Sequence, residues 1–228
     1  MTNSEFNNEF DILWNNIMSN QAPGLNSYEK SVLLTLAKEE LVISLYSGRN
    51  ELNLSLEQTE ELRRYLDTLI KTDSPNRQDK KIPKLSDKSI IYELPDDLLF
   101  IIYESVEFSN YTCAANKSAI VVPVTHDDYW RVSNNPFRRH NKRRVLRLNC
   151  DGNNVELISQ FDISKYIIRY LSKPLPIILE DLDGLTINNK SEKTECDDID
   201  SSLHRAILNR AVQIAQERWA MNLNKQQQ

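Results

Sequence analysis

Apolar residues at helical spacing occur at both ends of this chain, and the middle of the chain lacks this pattern. Near the start they are Leu33, Leu36, Ala37, Leu41 and Leu45. Near the end they are Leu203, Ile207, Leu208, Ala211, Ile214, Ala215 and Trp219. Intervals of three and four residues place such side chains on one face of a helix. Because each face must be buried, we expect the last helix to pack against the first ones.

Capping signals indicate where the N-terminal helices begin and end. Asn26 precedes Glu29 by three residues, which is the spacing of a capping box, and Gly48 is a typical stop signal. A second capping box, Ser55 to Gln58, begins a helix whose apolar face contains Leu62, Tyr65, Leu66, Leu69 and Ile70. The connection between the two helices is short, so they are expected to form an antiparallel hairpin. The weaker amphipathic segment Phe6–Met18 is expected to pack across them.

Short β-branched runs replace the helical pattern in the middle of the chain. They are Ser118–Val124, Val145–Leu148, Val155–Ile158 and Tyr166–Leu171. The turn-forming sequence Cys150–Asn154 predicts a β-hairpin between Arg144–Asn149 and Val155–Ser159. Asp97–Phe108 fits either a strand or a short helix. Pro174 and Pro176 require an extended path after this region.

These patterns predict an α+β fold. An N-terminal helical hairpin and a C-terminal helix form a bundle, and a mainly antiparallel β domain is inserted between them. The expected divisions are an N-terminal helical part at 1–72, a linker at 73–90, a β-rich domain at 91–187 with a basic loop at 131–147, an acidic linker at 188–201, and the C-terminal helix at 202–228.

Several classes of function lack their sequence signatures. The four glycines form no phosphate-binding loop, and the three histidines form no HExxH motif. The three cysteines include no CxxC pair, which argues against a zinc site or a disulfide framework. No apolar run approaches the length of about 20 residues that a membrane helix needs. We therefore expect no catalytic residue, cofactor, metal or membrane contact.

The densest polar cluster is Thr125–Trp130, and it has two interpretations. His126 could act as a general base beside Asp128, as in a hydrolase, or the Asp127–Asp128 pair could bind a metal. Alternatively, Thr125 caps a short helix, Asp127 and Asp128 favour the positive end of its dipole, and Tyr129 and Trp130 pack inward. We favour the second interpretation.

A strongly basic segment follows this cluster. The nineteen residues from Trp130 to Leu148 contain seven Lys or Arg residues, one His and no acid, although the chain has a net charge of −5. The candidate contact residues are Arg131, Phe137, Arg138, Arg139, Lys142, Arg143, Arg144 and Arg147. Asn134-Asn135-Pro136 predicts a turn, so residues 137–144 are expected to protrude. Such a loop could bind an acidic protein surface, could bind nucleic acid, or could simply be solvated.

Four stretches together resemble the head-to-tail connector, or neck ring, proteins of crAss-like bacteriophages. They are YELPDDLL, VVPVTHDDYWRVSNNPFRR, KYIIRYLSKPLPIILEDL and SLHRAILNRAVQIAQERW. These connector proteins look like relatives of the adaptor, or tail-tubular, ring proteins of podoviruses. The resemblance spans residues 1–221 and contains no catalytic motif.

The resemblance implies a non-enzymatic virion protein, made in the host cytoplasm, that forms a ring of twelve copies beneath the portal. Its partners would be the portal protein and other neck rings, and genomic DNA would pass nearby through the lumen. Head-to-tail contacts in a ring join two different surfaces. The basic segment Arg131–Arg147 and the acidic stretch Glu192–Asp200 are candidates for these two surfaces. A nucleic-acid-binding module that uses residues 131–147 is the alternative.

Overall fold

The two ends of the chain come together in one unit, and the middle of the chain forms another. This computed structural model describes residues 1–18, 23–49, 59–78, 84–86, 89–109 and 117–226. The helical unit comprises residues 1–69 and 173–228, and the β unit comprises residues 70–172. The predicted Ser55–Gln58 capping box and Cys113 lie outside the described residues.

The helices and strands follow the chain in an order that matches this division. The described helices are α1 (Asn3–Met18), α2 (Ser27–Ser47), α3 (Glu60–Tyr65), α4 (His126–Asn134) and α5 (His204–Gln226). The described strands are β1 (Ile70–Asp73), β2 (Asn76–Gln78), β3 (Ser89–Glu93), β4 (Leu98–Phe108), β5 (Ser118–Pro123), β6 (Arg144–Asn149), β7 (Asn154–Ile158) and β8 (Ile163–Ser172). This arrangement confirms the α+β class, with a β region inserted between the N-terminal helices and the C-terminal helix.

Local signals define α2 as the sequence predicts. The Asn26 Oδ1 atom accepts a hydrogen bond from the Glu29 backbone N at 2.8 Å, and the Asn26 N donates to Glu29 Oε2 at 2.9 Å. Gly48 follows the helix with a φ of +77°, in the left-handed region that glycine adopts without strain. The predicted capping box and stop are therefore both confirmed.

The apolar faces of α1, α2 and α5 form the core of the helical unit. Buried side chains on these helices include Phe6, Phe10, Trp14, Leu34, Ala37, Ile207, Leu208 and Ala211. The C-terminal helix α5 packs along both α2 and α1, which confirms that the helices share one core. The second helix of the predicted hairpin is short. It ends at Tyr65, a 3₁₀ turn covers Asp67–Leu69, and Ile70 begins a strand.

The β unit contains one eight-stranded sheet in the order β1-β8-β4-β5-β6-β7-β3-β2. All of its pairs are antiparallel except β5 with β6, which are parallel and are connected through α4. A flat sheet of this size would hold its edge strands about 34 Å apart. However, only Ser74 and Pro75 separate β1 from β2, and these can span no more than about 11 Å. The sheet must therefore curl until its two edges approach each other, as in a barrel.

The pleat of the strands separates an interior face from an exterior face. The interior contains a single apolar cluster from β3 to β8 that includes Tyr92, Val106, Val145, Leu157, Tyr166 and Ile168. On the exterior, Leu146, Leu148 and Ile158 form a smaller cluster. Because successive side chains alternate, β6 contributes to both faces.

Three segments of the β unit clarify sequence expectations. Asp97–Phe108, which fits a strand or a helix by sequence, contains strand β4. The predicted hairpin is confirmed as β6 paired with β7, and Gly152 in its turn has a φ of +63°. Parts of the segment 73–90, for which the sequence predicts a linker, belong to strands: β1 ends at Asp73, β2 covers Asn76–Gln78, and β3 begins at Ser89.

Candidate interaction surface

Helix α4 covers the outside of the barrel with one face and exposes the other. Tyr129 and Val132, three residues apart, pack against the exterior cluster of Leu146, Leu148 and Ile158. Trp130 lies on the opposite face and is 76% exposed. The prediction that Trp130 packs inward is therefore wrong, because only one side of this helix faces the sheet. Thr125 occupies the N-cap position, although its side chain forms no capping hydrogen bond.

The loop after α4 is held by hydrogen bonds within itself. The Asn135 side-chain oxygen accepts a hydrogen bond from the Phe137 N at 2.9 Å. The backbone carbonyl of Asn135 accepts one from the Arg139 N, also at 2.9 Å. The Arg144 Nη1 atom donates to the Phe137 carbonyl at 3.2 Å and to the Arg138 carbonyl at 3.3 Å. These bonds fix a loop on which the Phe137 ring is 89% exposed.

Four exposed cations lie in the same loop as this phenylalanine. Arg138, Arg139, Lys142 and Arg143 form no ion pair with any residue that the structure describes. We call the surface made by Trp130, Phe137, Arg138, Arg139, Lys142 and Arg143 the tip. Arg131 differs from these residues, because its guanidinium pairs with the Asp128 carboxylate at 2.7 Å on the same helix.

Arg147 belongs to the interior of the barrel. Its Nε lies 3.1 Å from Glu104 Oε1, and the two side chains are only 12% and 5% exposed. The Tyr166 hydroxyl donates to the other Glu104 oxygen at 2.8 Å. Burial raises the pKa of Glu104, although Arg147 and the Tyr166 hydrogen bond both oppose that rise. Arg144 and Arg147 thus stabilise the fold, whereas the tip cations extend into solvent.

The residues of the hydrolase interpretation have other partners. The His126 Nε2 donates to the Asn149 carbonyl at 2.8 Å, and Asp128 accepts from Arg131. Within the described ranges, no group of three His, Cys, Asp or Glu residues could hold a metal ion. Burial raises the pKa of the two described thiols, Cys150 and Cys196. Among the described helices, none is both long and apolar enough to cross a membrane.

An acidic surface lies on the helical unit, in the irregular chain before α5. Ile178 and Thr194 form an antiparallel bridge, and the Leu182 N donates to the Ser191 carbonyl at 2.8 Å. We call residues 178–197 the acidic hairpin. Ile178, Leu182 and Ile187 anchor it by packing against Tyr28 and Val32 of α2. This segment overlaps the stretch 188–201 that the sequence predicts as a linker.

The acids of this region divide into bound and free groups. Asp198 pairs with the buried Lys38, and Asp200 accepts from the Ser202 N at 2.9 Å. Asp181 accepts from the Lys193 N at 2.6 Å, and the exposed acids with neither an ion pair nor a side-chain hydrogen bond among the described residues are Glu180, Asp183, Glu192 and Asp197. The sequence pattern locates the acidic region but does not reveal which of its carboxylates the fold already uses.

Comparisons with known proteins match this chain over nearly its whole length. The family model described as phage tail ring protein 3/4 matches residues 1–227. The chain is 45% identical to Ring protein 3 of Bacteroides phage crAss001 over 219 residues, which cover 94% of this chain and 95% of that protein. It is also 35% identical to Ring protein 4/5 of the same phage over 240 aligned positions, which cover 98% of this chain and 95% of that protein.

Proposed function

This chain belongs to the phage tail ring protein family, and from that premise we propose that it is a subunit of a ring joining the portal to the tail. As a member of that family it is a structural component of the phage tail or neck. In our proposal, twelve copies surround the channel through which the genome leaves the capsid. The helical unit faces the portal, and the β unit carries the next ring of the neck.

The tip is the observation that carries this proposal. A closed ring needs two different surfaces on each subunit, because each copy meets one neighbour on each side. Exposed aromatic rings and arginines are enriched where proteins bind one another. The tip offers two such rings, Trp130 and Phe137, and four cations that form no ion pair among the described residues, on a loop that its own hydrogen bonds hold in place.

A structural role also agrees with the polar groups of the β unit. His126, Asp128 and Arg147 are each engaged in contacts that hold the fold together. A catalytic acid or base needs a position within hydrogen-bond reach of a substrate. We propose that this protein acts by assembly and catalyses no reaction.

The alternative function is nucleic-acid binding through residues 131–147, and the exposed cations of the tip favour it. Arg138, Arg139, Lys142 and Arg143 could each contact a phosphate. If all four did so, changing them to Ala would make the negative slope of log affinity against log salt concentration shallower by about four. A surface that docks on protein instead predicts loss of assembly in the same variant.

Symmetry-averaged electron microscopy of purified virion necks tests the ring proposal. The expected result is a closed ring of this fold between portal and tail, with twelve copies. Phage carrying Arg138→Ala and Arg139→Ala should yield heads without attached tails, because the ring contacts are lost. A matched control is Arg63→Ala with Arg205→Ala, which removes the same charge from exposed positions of the helical unit. A protein that is absent from purified virions refutes the proposal.

A further inference from the structure

We propose that the tip of one copy docks on the acidic hairpin of a second copy. This inference rests on the proposed ring, and it identifies the two surfaces that meet between neighbouring subunits. The tip belongs to the β unit, whereas the acidic hairpin belongs to the helical unit. The contact is therefore heterologous, as a head-to-tail ring requires.

Charge complementarity selects the acidic hairpin as the partner of the tip. The tip presents four exposed cations, Arg138, Arg139, Lys142 and Arg143. Among the exposed acids of the acidic hairpin, four have no side-chain partner among the described residues: Glu180, Asp183, Glu192 and Asp197. Neither set forms ion pairs among the described residues. Opposite potentials accelerate encounter and select the correct partner, and arginine–carboxylate pairs can form two parallel hydrogen bonds.

The aromatic side chains of the tip supply the apolar part of the contact. Phe137 and Trp130 are 89% and 76% exposed in a single copy. Burial of such large rings provides most of the binding energy at protein interfaces, while the charges around them set specificity. The acidic hairpin offers a matching apolar side chain in Leu185, which is 48% exposed.

Both surfaces are preorganised, which lowers the entropic cost of association. The tip loop is fixed by the Asn135 and Arg144 hydrogen bonds. The acidic hairpin is fixed by its bridge between Ile178 and Thr194, and the Asn3 amide donates to the Ile178 carbonyl at 2.7 Å. Each carboxylate or guanidinium is thus carried on a backbone that is already ordered before binding.

A nucleic-acid partner would use the tip but not the acidic hairpin. The tip cations could contact phosphates, but the exposed carboxylates of the acidic hairpin could not. A second copy satisfies both surfaces at once. We therefore favour protein docking, and DNA binding becomes an outcome that the experiment detects.

Charge reversal tests the contact because it can both break and restore assembly. The tip variant is Arg138→Glu with Arg139→Glu, and the hairpin variant is Glu180→Lys with Asp183→Lys. Each variant alone places like charges together, so its self-association should weaken by at least about 30-fold relative to wild type. An equimolar mixture should assemble again, because each tip then meets a hairpin of opposite charge.

Combining both sets of reversals in one chain should also restore assembly. A chain carrying all four reversals should associate with itself but not with wild type. Mass photometry and light scattering after gel filtration measure the assemblies, and circular dichroism confirms that each variant is folded. The control pair Arg63→Glu and Arg205→Glu reverses two exposed charges elsewhere and should assemble as wild type does.

The possible outcomes separate this inference from the proposed function. If both single-surface variants assemble like wild type, the docking assignment is overturned, while the ring proposal survives. If the wild type stays monomeric at its highest soluble concentration and is absent from virion necks, both are overturned. If the tip variant assembles normally but loses salt-sensitive affinity for duplex DNA, the nucleic-acid alternative replaces the docking contact.

Discussion

The ion pair between Lys38 and Asp198 is a point at which the chemistry of the helical unit can be tested quantitatively. The Lys38 side chain is 0% exposed, and its ammonium contacts the Asp198 carboxylate and donates to the Leu175 carbonyl at 2.8 Å. Asp198 Oδ2 also accepts from the Leu175 N at 2.8 Å. This network ties the extended, proline-bearing chain after β8 to α2. We therefore consider the variants Asp198→Ala and Lys38→Met, singly and together.

The expected loss of unfolding free energy depends on how strongly water is excluded from the Lys38–Asp198 pair. Asp198→Ala leaves a fully buried ammonium without its carboxylate, which costs about 3–5 kcal/mol of unfolding free energy. Adding Lys38→Met removes the uncompensated charge and keeps most of the side-chain volume, so the double variant should lose only about 1–2 kcal/mol. The double variant is thus expected to be about 2–3 kcal/mol more stable than Asp198→Ala alone, which would show that the two sites are energetically coupled.

Urea unfolding followed by tryptophan fluorescence measures this cycle. Trp14 is buried in the helical unit, so a Trp130→Phe background removes the signal from the β unit. With a slope of about 2 kcal/mol per molar urea, Asp198→Ala should lower the midpoint by about 1.5–2.5 M. The double variant should recover about 1 M of that loss. A double variant less stable than Asp198→Ala would contradict the reasoning, because the buried charge would then not be the source of the cost.

Three further predictions concern other elements. Glu104→Ala should lower the free energy of unfolding by about 3–5 kcal/mol, measured in urea, because it removes the carboxylate that pairs with Arg147 inside the barrel. A loss below about 1 kcal/mol, which is typical of an exposed pair, contradicts this. Asn26→Ala should cost about 1 kcal/mol and speed amide exchange in the first turn of α2, which an unchanged exchange rate would disprove. Burial lowers the pKa of His204 from 6.5, and the Met1 ammonium lowers it further. The stability that the neutral His204 contributes to the fold is therefore fully present above pH 6.5. It is lost as the pH falls through the lower pKa of the folded state. In His204→Gln the urea midpoint should lose this dependence; a midpoint that still falls as steeply below pH 6.5 places its origin elsewhere.

Helix α2 and the β6–β7 hairpin could be predicted because their signals are local. Asn26, Glu29 and Gly48 lie within or beside the helix that they define. Gly152 lies in the turn that it permits, between strands that are neighbours in sequence. In each case the residue that forms the contact is close along the chain, so a short window of sequence contains the information.

The edge strands of the barrel could not be predicted, because their signals are distant. β1 pairs with β8, where Ile70 lies opposite Leu171, about a hundred residues later in the sequence. Both β1 and β2 are mostly exposed, so neither shows the alternation that marks a half-buried strand. The polar and proline-bearing composition of residues 73–90 is typical of a linker, and only the curled sheet reveals a different role.

The basic segment shows how register divides residues that look equivalent in the sequence. Val145 and Arg147 face the interior of the barrel, and Leu146 and Leu148 face α4, so a shift of one residue would exchange the two sets. The register of β6 against β7 therefore directs the Arg147 side chain inward, where it pairs with Glu104. Arg144, at the start of the strand, donates hydrogen bonds to carbonyl groups of the loop.

Arg138, Arg139, Lys142 and Arg143, the other cations of the loop, form no ion pair with any residue that the structure describes. A loop that protrudes only for solvation would not need the Asn135 and Arg144 hydrogen bonds that fix its backbone. Nor would it need Phe137 at 89% exposure, since an exposed apolar ring gains nothing from water. Order together with exposure is expected of a surface that becomes buried upon assembly. The helical unit carries exposed acids with no ion pair among the described residues, so a second copy is the partner that would satisfy both charge sets.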